Sequence, residues 1–299
     1  MTDTYLFKGM GRKDLHPYRA SIMPTENILG YPVAAVSLEA CVDALVKGIH
    51  AATEGEAGEG AVGDGTAAKP FWLACMNPHS VRMAMSDPAA EKAMKAADVL
   101  IPDGVGAVLA SRILGGGIRE RITGSDIFRE LSRRLTNRGG ASCFFLGSTE
   151  ETLVAIEARL AGEFPGIRFA GAYSPPFKEV FSEEENRAMI EAVNRAGPDV
   201  LWVGMTAPKQ EKWIHQNKDK LNVKFIGAVG AVFDFYAGNV KRSHPWFLKH
   251  GLEWLPRLLQ EPRRLWRRSF ISAPVFFWYV LKQRIGKIVA DTYFFKKDP

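Results

Sequence analysis

Two short loops in this 299-residue chain carry side chains that could take part in catalysis, at residues 77–80 and 102–104. In the second loop, Asp103 follows a short apolar stretch and is flanked by proline and glycine, which predicts a tight turn. A carboxylate that is partly removed from water has a raised pKa, which would suit a general base. The same position equally suits an aspartate that caps a helix beginning near Val105. Asn77 has the same ambiguity and favours capping.

A single arginine precedes another segment that reads as a helix. Arg121 lies just before it, with Ser125 and Asp126 available as caps. Backbone N–H groups at a helix N-terminus, together with a nearby guanidinium, would suit a phosphate. A surface arginine paired with a neighbouring glutamate is an equally good interpretation.

A lysine, a glutamine and a glutamate follow Pro208 in the first turn of a predicted helix, beyond the end of a predicted strand. They are Lys209, Gln210 and Glu211. Open α/β sheets bind ligands beyond the carboxyl ends of their strands, so these three are candidate contacts for a nucleotide or a sugar. Any solvated helix start could have the same composition.

Several motifs are missing from the sequence, and their absence limits the function classes. No glycine-rich dinucleotide fingerprint follows a strand, and there is no P-loop or nucleophile elbow. There is no Asp-x-Asp pair to hold a divalent cation on a sugar diphosphate, and the six histidines lack metal-ligand spacing. We therefore expect neither a metal nor a cofactor.

The elements that must position these residues alternate along the chain. Six strand-like runs are separated by helix-like segments, beginning with a strand at Phe71–Met76 and a helix at Pro78–Ala97. This alternation predicts an α/β fold: a Rossmann-like parallel sheet with helices on both faces, in two lobes, plus a basic helical C-terminal appendage. The predicted divisions are a disordered arm at 1–28, an N-terminal lobe with the catalytic loop at 29–138, a flexible insertion at 51–69, a Rossmann-like lobe at 139–244, and a membrane-docking appendage at 245–299.

The charge is concentrated in the last fifth of the chain. The net charge is +6, whereas residues 241–299 alone carry +9. Three widely spaced cysteines suggest neither a disulfide framework nor a zinc site, which fits a reducing cytoplasm. The N-terminus lacks the apolar core of a secretory signal, and no apolar run approaches the roughly 20 residues of a spanning helix.

The C-terminal segment combines arginines, tryptophans and a short apolar run. Leucines recur at helical spacing from Leu248 to Leu259, and four arginines surround Leu265 and Trp266. A mostly apolar run follows at 270–281. This composition is typical of a helix that lies on a membrane surface, and it favours an anionic membrane over a buried helix pair with a solvated arginine rim.

Seven segments occur in a fixed order between about residues 76 and 268: NPHS, ADVLIPDGVG, RITGSD, FFLG, PDVLWVGMTAPKQEKW, GAVGAVFDFYAG and GLEWLPRLLQEPRRLWRR. This ordered set resembles the WecG/TagA/CpsF family, glycosyltransferase family 26. The resemblance implies an inverting, metal-independent transfer from a UDP-sugar to a lipid-linked acceptor. It also implies a basic appendage that docks on the membrane and completes the active site.

The resemblance assigns roles to individual residues. Asp103 matches the presumed base of the family's PDG motif, Arg121 its R-x-x-G arginine, and Gln210 the glutamine of PKQE. Three appendage arginines match those thought to reach the donor diphosphate: Arg257, Arg264 and Arg267. Two departures are Cys75, where the family often has threonine, and the sequence at 243–245, where the usual pattern is Arg-Ala-Pro.

The sequence thus predicts a peripheral glycosyltransferase on the inner face of the cell membrane. Its donor would be UDP-glucose, UDP-N-acetylmannosamine or the corresponding uronate, and its acceptor a polyprenyl-diphosphate-linked sugar in surface polysaccharide synthesis, with an exopolysaccharide pathway favoured. Substrate contacts are expected from Cys75 and Asn77 and from Lys209, Gln210 and Glu211. No nucleic-acid partner is expected, and a homo-oligomer is left open. The alternatives are a non-catalytic module recruited to membrane by its tail, and a sugar-modifying oxidoreductase or epimerase.

Overall fold

A computed structural model of the protein describes residues 23–54, 69–240 and 268–295. Its main feature is a six-stranded parallel sheet in the order β4-β3-β8-β7-β5-β6. The strands are β3 (Phe71–Met76), β4 (Val99–Pro102), β5 (Ala141–Gly147), β6 (Ile167–Tyr173), β7 (Val200–Gly204) and β8 (Phe225–Ala228). The α/β prediction is confirmed, and strands from both predicted lobes join in this one sheet.

Both faces of the sheet are covered, which explains why its strands read as continuous apolar runs. Along β3 the side chains alternate, with Phe71 and Leu73 in one core and Trp72 and Ala74 in the other. One face carries α1 (Leu38–Glu54), α5 (Gly124–Asn137), α6 (Glu150–Glu163) and α9 (Val232–Ala237). The other carries α2 (Pro78–Ala84), α3 (Pro88–Lys95), α4 (Val105–Leu114), α7 (Glu183–Ala196) and α8 (Lys209–Asn217).

The segment predicted as one helix at Pro78–Ala97 is two helices. The break falls at Asp87-Pro88: the Asp87 side chain accepts the N–H groups of Ala89 and Ala90, and the proline occupies the first turn of α3. Proline is tolerated at a helix start, where its missing N–H has no helical partner. The break leaves α2 with only seven residues.

A β-hairpin precedes the sheet. Its strands β1 (Thr25–Ile28) and β2 (Tyr31–Ala34) pair in antiparallel fashion. The predicted disordered arm was therefore wrong for residues 25–28, whereas residues 1–22 lie outside the described part of the chain. Helix α1 likewise extends four residues into the predicted insertion, of which residues 55–68 are not described.

The last described segment begins with a π-helical turn at Arg268–Ser272 and continues as α10 (Ala273–Phe295). It packs on α2 and α4 and buries Phe276 and Val280. Within the described residues, we find no helix with the combination of length and apolar character that crossing a bilayer requires. The leucine pattern at 248–259 and the arginines Arg257, Arg264 and Arg267 lie outside the described residues.

Candidate active site

Asp103 lies on a turn fixed to the carboxyl edge of the sheet. Met76 at the end of β3 is in register with Pro102 at the end of β4. The Asp103 N–H donates to the carbonyl of Met76 at 2.8 Å and to that of Ile101 at 3.0 Å. Two parallel strands therefore end together, and the half-buried carboxylate directly follows them.

The side chain of Asn77 caps α2 and also contacts the base candidate. Its Oδ1 accepts the N–H groups of His79 and Ser80, each at 3.0 Å. Its Nδ2 donates to Asp103 Oδ2 at 3.0 Å. Because capping engages the carbonyl end of the amide, the NH₂ end must face Asp103. The helix start thus sets the orientation of a donor to the carboxylate.

Asp103 is not the N-cap residue of the helix that follows it. Gly104 occupies that position in α4, with a φ of 90° and without a side-chain cap hydrogen bond. A positive φ is readily accessible to glycine, so Gly104 lets the chain turn into α4 while the carboxylate lies beside Asn77. The role of Asp103 as a general base stays a prediction.

Arg121 directly precedes a residue that is hydrogen-bonded to the Asp103 loop. The next residue, Ile122, donates its N–H to the carbonyl of Pro102 at 3.0 Å. The sequence offered Ser125 and Asp126 as caps, but the N-cap of α5 is Thr123, whose Oγ1 accepts the Asp126 N–H at 3.2 Å. Asp126 accepts the Thr123 N–H in return, which completes a capping box, whereas Ser125 is buried within the first turn.

Cys75 is half-buried near the carboxyl end of β3. Its Sγ lies 3.7 Å from the carbonyl of Ala228 on the neighbouring strand β8. A Cβ at Gly124, the first residue of α5, would lie 3.5 Å from the same sulfur. The thiol therefore occupies the gap between β3, β8 and the start of α5, and its predicted role in substrate binding stays a prediction.

Lys209 contacts the loop between β6 and α7. Its Nζ donates to the carbonyl of Lys178 at 2.8 Å and lies over the rings of Phe181 and Phe177, at 5.0 and 5.7 Å from their centroids. Partial burial lowers the pKa of the Lys209 ammonium below its usual range. The lysine thus holds this loop over the start of α8.

Gln210 and Glu211 form a buried pair in the same turn. They are 3 % and 2 % exposed, and Gln210 Nε2 donates to Glu211 Oε1 at 2.9 Å. Among the described residues, Gln210 Oε1 and Glu211 Oε2 have no hydrogen-bond partner. Burial raises the pKa of the Glu211 carboxyl, which favours its neutral form. The Gln210 amide lies under Gly230, where a Cβ would be 3.6 Å from Oε1.

The structure therefore brings one group of predicted site residues together around the ends of β3 and β4: Cys75, Asn77, Asp103 and the segment after Arg121. A second group, Gln210 and Glu211, lies at the ends of β7 and β8. Sequence reasoning missed the Thr123 cap and the turn at Gly230. The Thr123 cap could have been predicted from the sequence, because a threonine three residues before an aspartate is a capping-box pattern.

A parallel α/β sheet with a carboxylate and polar helix starts at its carboxyl edge is an architecture that suits nucleotide-sugar enzymes. The chain belongs to the glycosyl transferase WecG/TagA/CpsF family, whose profile matches residues 26–289. The protein is therefore a glycosyltransferase.

Relatives with assigned names are similar over most of their length. The chain is 32% identical to the N-acetylglucosaminyldiphosphoundecaprenol N-acetyl-beta-D-mannosaminyltransferase of Bacillus spizizenii, over 72% of this chain and 80% of the relative. It is 29% identical to the protein of that name in Bacillus subtilis, with the same coverage. Identity to the one in Staphylococcus aureus strain MW2 is 27%, over 72% of this chain and 81% of the relative.

Proposed function

We propose that this protein transfers a sugar from a UDP-sugar to a polyprenyl-diphosphate-linked acceptor, with inversion and with Asp103 as general base. The hydrogen bond between Asn77 and Asp103 carries the proposal, because it holds a carboxylate at the sheet edge, directly beyond the ends of β3 and β4. The relatives support the acceptor, since their names specify a diphosphoundecaprenol-linked N-acetylglucosamine.

The reaction would be a single displacement at the anomeric carbon. Asp103 takes the proton from an acceptor hydroxyl while that oxygen forms a bond to the anomeric carbon. The bond from this carbon to the diphosphate breaks, and UDP leaves with the electron pair. The negative charge that develops on the diphosphate requires fixed positive groups. Arg121 would supply one of them, and Arg257, Arg264 and Arg267 would supply the others.

For the donor we propose UDP-N-acetylmannosamine ahead of UDP-glucose and the uronate, because the relatives are named N-acetylmannosaminyltransferases. Gln210 is the proposed contact at the other end of the site, since its buried carbonyl oxygen is available to a hydroxyl or amide donor. The exopolysaccharide pathway stays a prediction, because those names specify an acceptor and no pathway.

The decisive experiment is a UDP-release assay with a panel of the three UDP-sugars and a short-chain polyprenyl-diphosphate N-acetylglucosamine. We expect turnover with UDP-N-acetylmannosamine that depends on the acceptor. Asp103→Asn should lower kcat by about 10²- to 10⁴-fold, the usual contribution of a general base, with donor affinity within about twofold. Wild-type turnover by Asp103→Asn would contradict the assignment of the base, and no turnover with any of the three donors would contradict the proposed donor class.

We also propose that α10 lies on an anionic membrane. Opposite the buried face of Phe276 and Val280, apolar side chains recur at intervals of three and four residues and are 45–59% exposed: Trp278, Leu281, Ile285 and Val289. This spacing places them in one stripe about 17 Å long. Lys282 and Arg284 flank the stripe, and the Lys282 ammonium lies 5.2 Å from the Trp278 ring centroid. An apolar stripe bordered by cations suits a lipid surface with anionic headgroups.

Vesicle sedimentation tests this docking. Ile285→Glu should lower binding to phosphatidylglycerol vesicles about tenfold or more, because burying an isoleucine contributes about 1.5–3 kcal/mol. Val154→Glu is the matched control, since Val154 is 65% exposed on α6, which covers the other face of the sheet. Equal losses in both variants, or equal binding of the wild type to neutral vesicles, would refute the docking surface.

A further inference from the structure

The first turn of α2 contacts three other parts of the molecule. Asn77, at its cap, donates to Asp103. Pro78 lies against Gly106 of α4, where a Cβ would be 2.9 Å from the proline Cδ and closer still to its Cγ. His79 Nδ1 lies 3.0 Å from Ser272 Oγ, across 193 residues of sequence. One turn of helix therefore contacts the base, the helix that follows the base, and the segment leading into α10.

Besides packing on α2 and α4, the α10 segment makes side-chain hydrogen bonds to the body of the protein at two separate points. Ser272, just before the helix, is 4% exposed. Further along, the Gln283 side chain accepts an N–H from the β1–β2 turn at 2.8 Å and donates to a carbonyl of the same hairpin at 3.1 Å. Only the first point reaches α2, so the two contacts can be removed separately.

We propose that His79 and Ser272 are positioning residues that couple α10 to the catalytic base. The hydrogen bond between them holds the first turn of α2, and that turn holds the Asn77 amide against Asp103. The coupling rests on the proposed role of Asp103 as general base. The coupling also links the exposed stripe of α10 to catalysis. A lipid surface that holds α10 in place would at the same time hold the base in its productive orientation.

Small displacements are enough for such coupling. The Asn77–Asp103 hydrogen bond is 3.0 Å long, and a side-chain contact at about 3.6 Å no longer counts as a hydrogen bond. Helix α2 has seven residues, so its first turn cannot rely on a long helix to hold it. Misplacing a catalytic group by about 1 Å can lower turnover by as much as a hundredfold. The Pro78–Gly106 contact limits movement towards α4, and the His79–Ser272 hydrogen bond holds the same turn on the side of the α10 segment.

Steady-state kinetics with the soluble short-chain acceptor test the coupling without a membrane. We expect Ser272→Ala to lower kcat about fivefold to tenfold while the donor KM stays within twofold. Ser272→Thr, which keeps the hydroxyl, should recover most of the loss. Gln283→Ala is the matched control: it removes the other α10 contact, and its kcat should stay within about twofold. His79→Ala removes the same bond from the other side and serves if Ser272→Ala fails to fold.

A double-mutant cycle separates coupling from general stabilisation. In an Asn77→Ala background, Ser272→Ala should cause no further loss of kcat, because the coupling acts through the Asn77 amide. Equal losses in Ser272→Ala and Gln283→Ala, multiplicative losses in the cycle, or an unchanged kcat in Ser272→Ala would each overturn the coupling. Asp103→Asn in the same assay distinguishes the two failures. If that variant is inactive while Ser272→Ala matches wild type, the coupling alone is wrong; if Asp103→Asn keeps its turnover, the proposed base is wrong.

Discussion

The helices α2 and α8 both begin at the carboxyl edge of the sheet, but they begin in opposite ways. At α2 the side-chain oxygen of the cap accepts two backbone N–H groups, and the nitrogen of the same amide donates to Asp103. At α8 the N-cap is Pro208, which makes no side-chain cap bond. The first turn of α8 instead buries Gln210 and Glu211, each with one oxygen lacking a partner among the described residues.

This difference indicates that the two ends of the site are prepared for different tasks. At the base end, both the oxygen and the nitrogen of the Asn77 amide already have a hydrogen-bond partner before any substrate arrives. The α8 end retains polar atoms whose burial without a partner is unfavourable, and a bound donor could satisfy them. A pre-organised base and a ligand-completed donor subsite would respond to substitution differently.

The largest effect is expected at Asn77, through Asn77→Asp. One oxygen of the new carboxylate can still cap α2, so the melting temperature should stay near wild type. The other oxygen would face Asp103 at about the position of the lost donor, and repulsion between two carboxylates raises the pKa of one of them. We expect kcat to fall about tenfold to a hundredfold near neutral pH and to recover partly at higher pH.

The control for this substitution is Asn77→Ala. It removes both functions at once, so it should lower the unfolding free energy by about 0.5–2 kcal/mol as well as kcat. A pH–rate profile of Asn77→Asp identical to that of the wild type would show that the amide has no role in orienting the base.

A smaller effect is expected at the other end of the site, from Gln210→Met. The two side chains have similar volumes, but the substitution removes the donor to Glu211 Oε1 together with the carbonyl oxygen that lacks a partner among the described residues. Stability should therefore fall by about 1–3 kcal/mol, because Glu211 loses a buried hydrogen bond, while the donor KM should rise about fivefold to tenfold with kcat within about threefold. Titration with UDP alone would measure the binding loss directly. A lower melting temperature with unchanged donor affinity would mean that Gln210 is only part of the core.

The smallest effect concerns Glu211→Gln and appears in stability as a function of pH. Burial raises the pKa of Glu211 in the folded state, so the folded protein binds a proton that the unfolded chain releases. The stabilisation is fully present below the unfolded pKa and is lost as pH rises through the folded pKa. The variant has no such proton, so its melting temperature should gain on the wild type by about 2–4 °C between pH 5 and pH 9.

Glu157→Gln, at an exposed carboxylate on α6, is the control for that measurement. Parallel pH curves for the wild type and Glu211→Gln would contradict a neutral buried carboxyl.

Strong local patterns made much of the fold predictable. Strand β3 and helix α4 have the bounds expected from the sequence, Phe71–Met76 and Val105–Leu114, because fully buried strands and Gly-capped helices leave clear signals. The β1–β2 hairpin was missed, because its turn uses Leu29 with a φ of 56° before Gly30. A leucine is rare at positive φ, so the residues do not form a recognisable hairpin turn.

The candidate site was predictable where one loop carries its own signal. Asp103 was singled out by the proline and glycine around it, but only the structure shows that Gly104 takes the N-cap position and that the Asn77 amide reaches the Asp103 carboxylate. The contact between His79 and Ser272 had no signal, because 193 residues separate the two and neither stands in an unusual local pattern.

Gly104 has a consequence for anyone who wishes to redesign this enzyme. Its φ of 90° is strained for any residue with a side chain, yet a Cβ placed there would have no atom within 4 Å. The glycine is thus required by the path of the backbone and not by crowding, so Gly104→Ala should strain the turn that carries the carboxylate even though its methyl group has room.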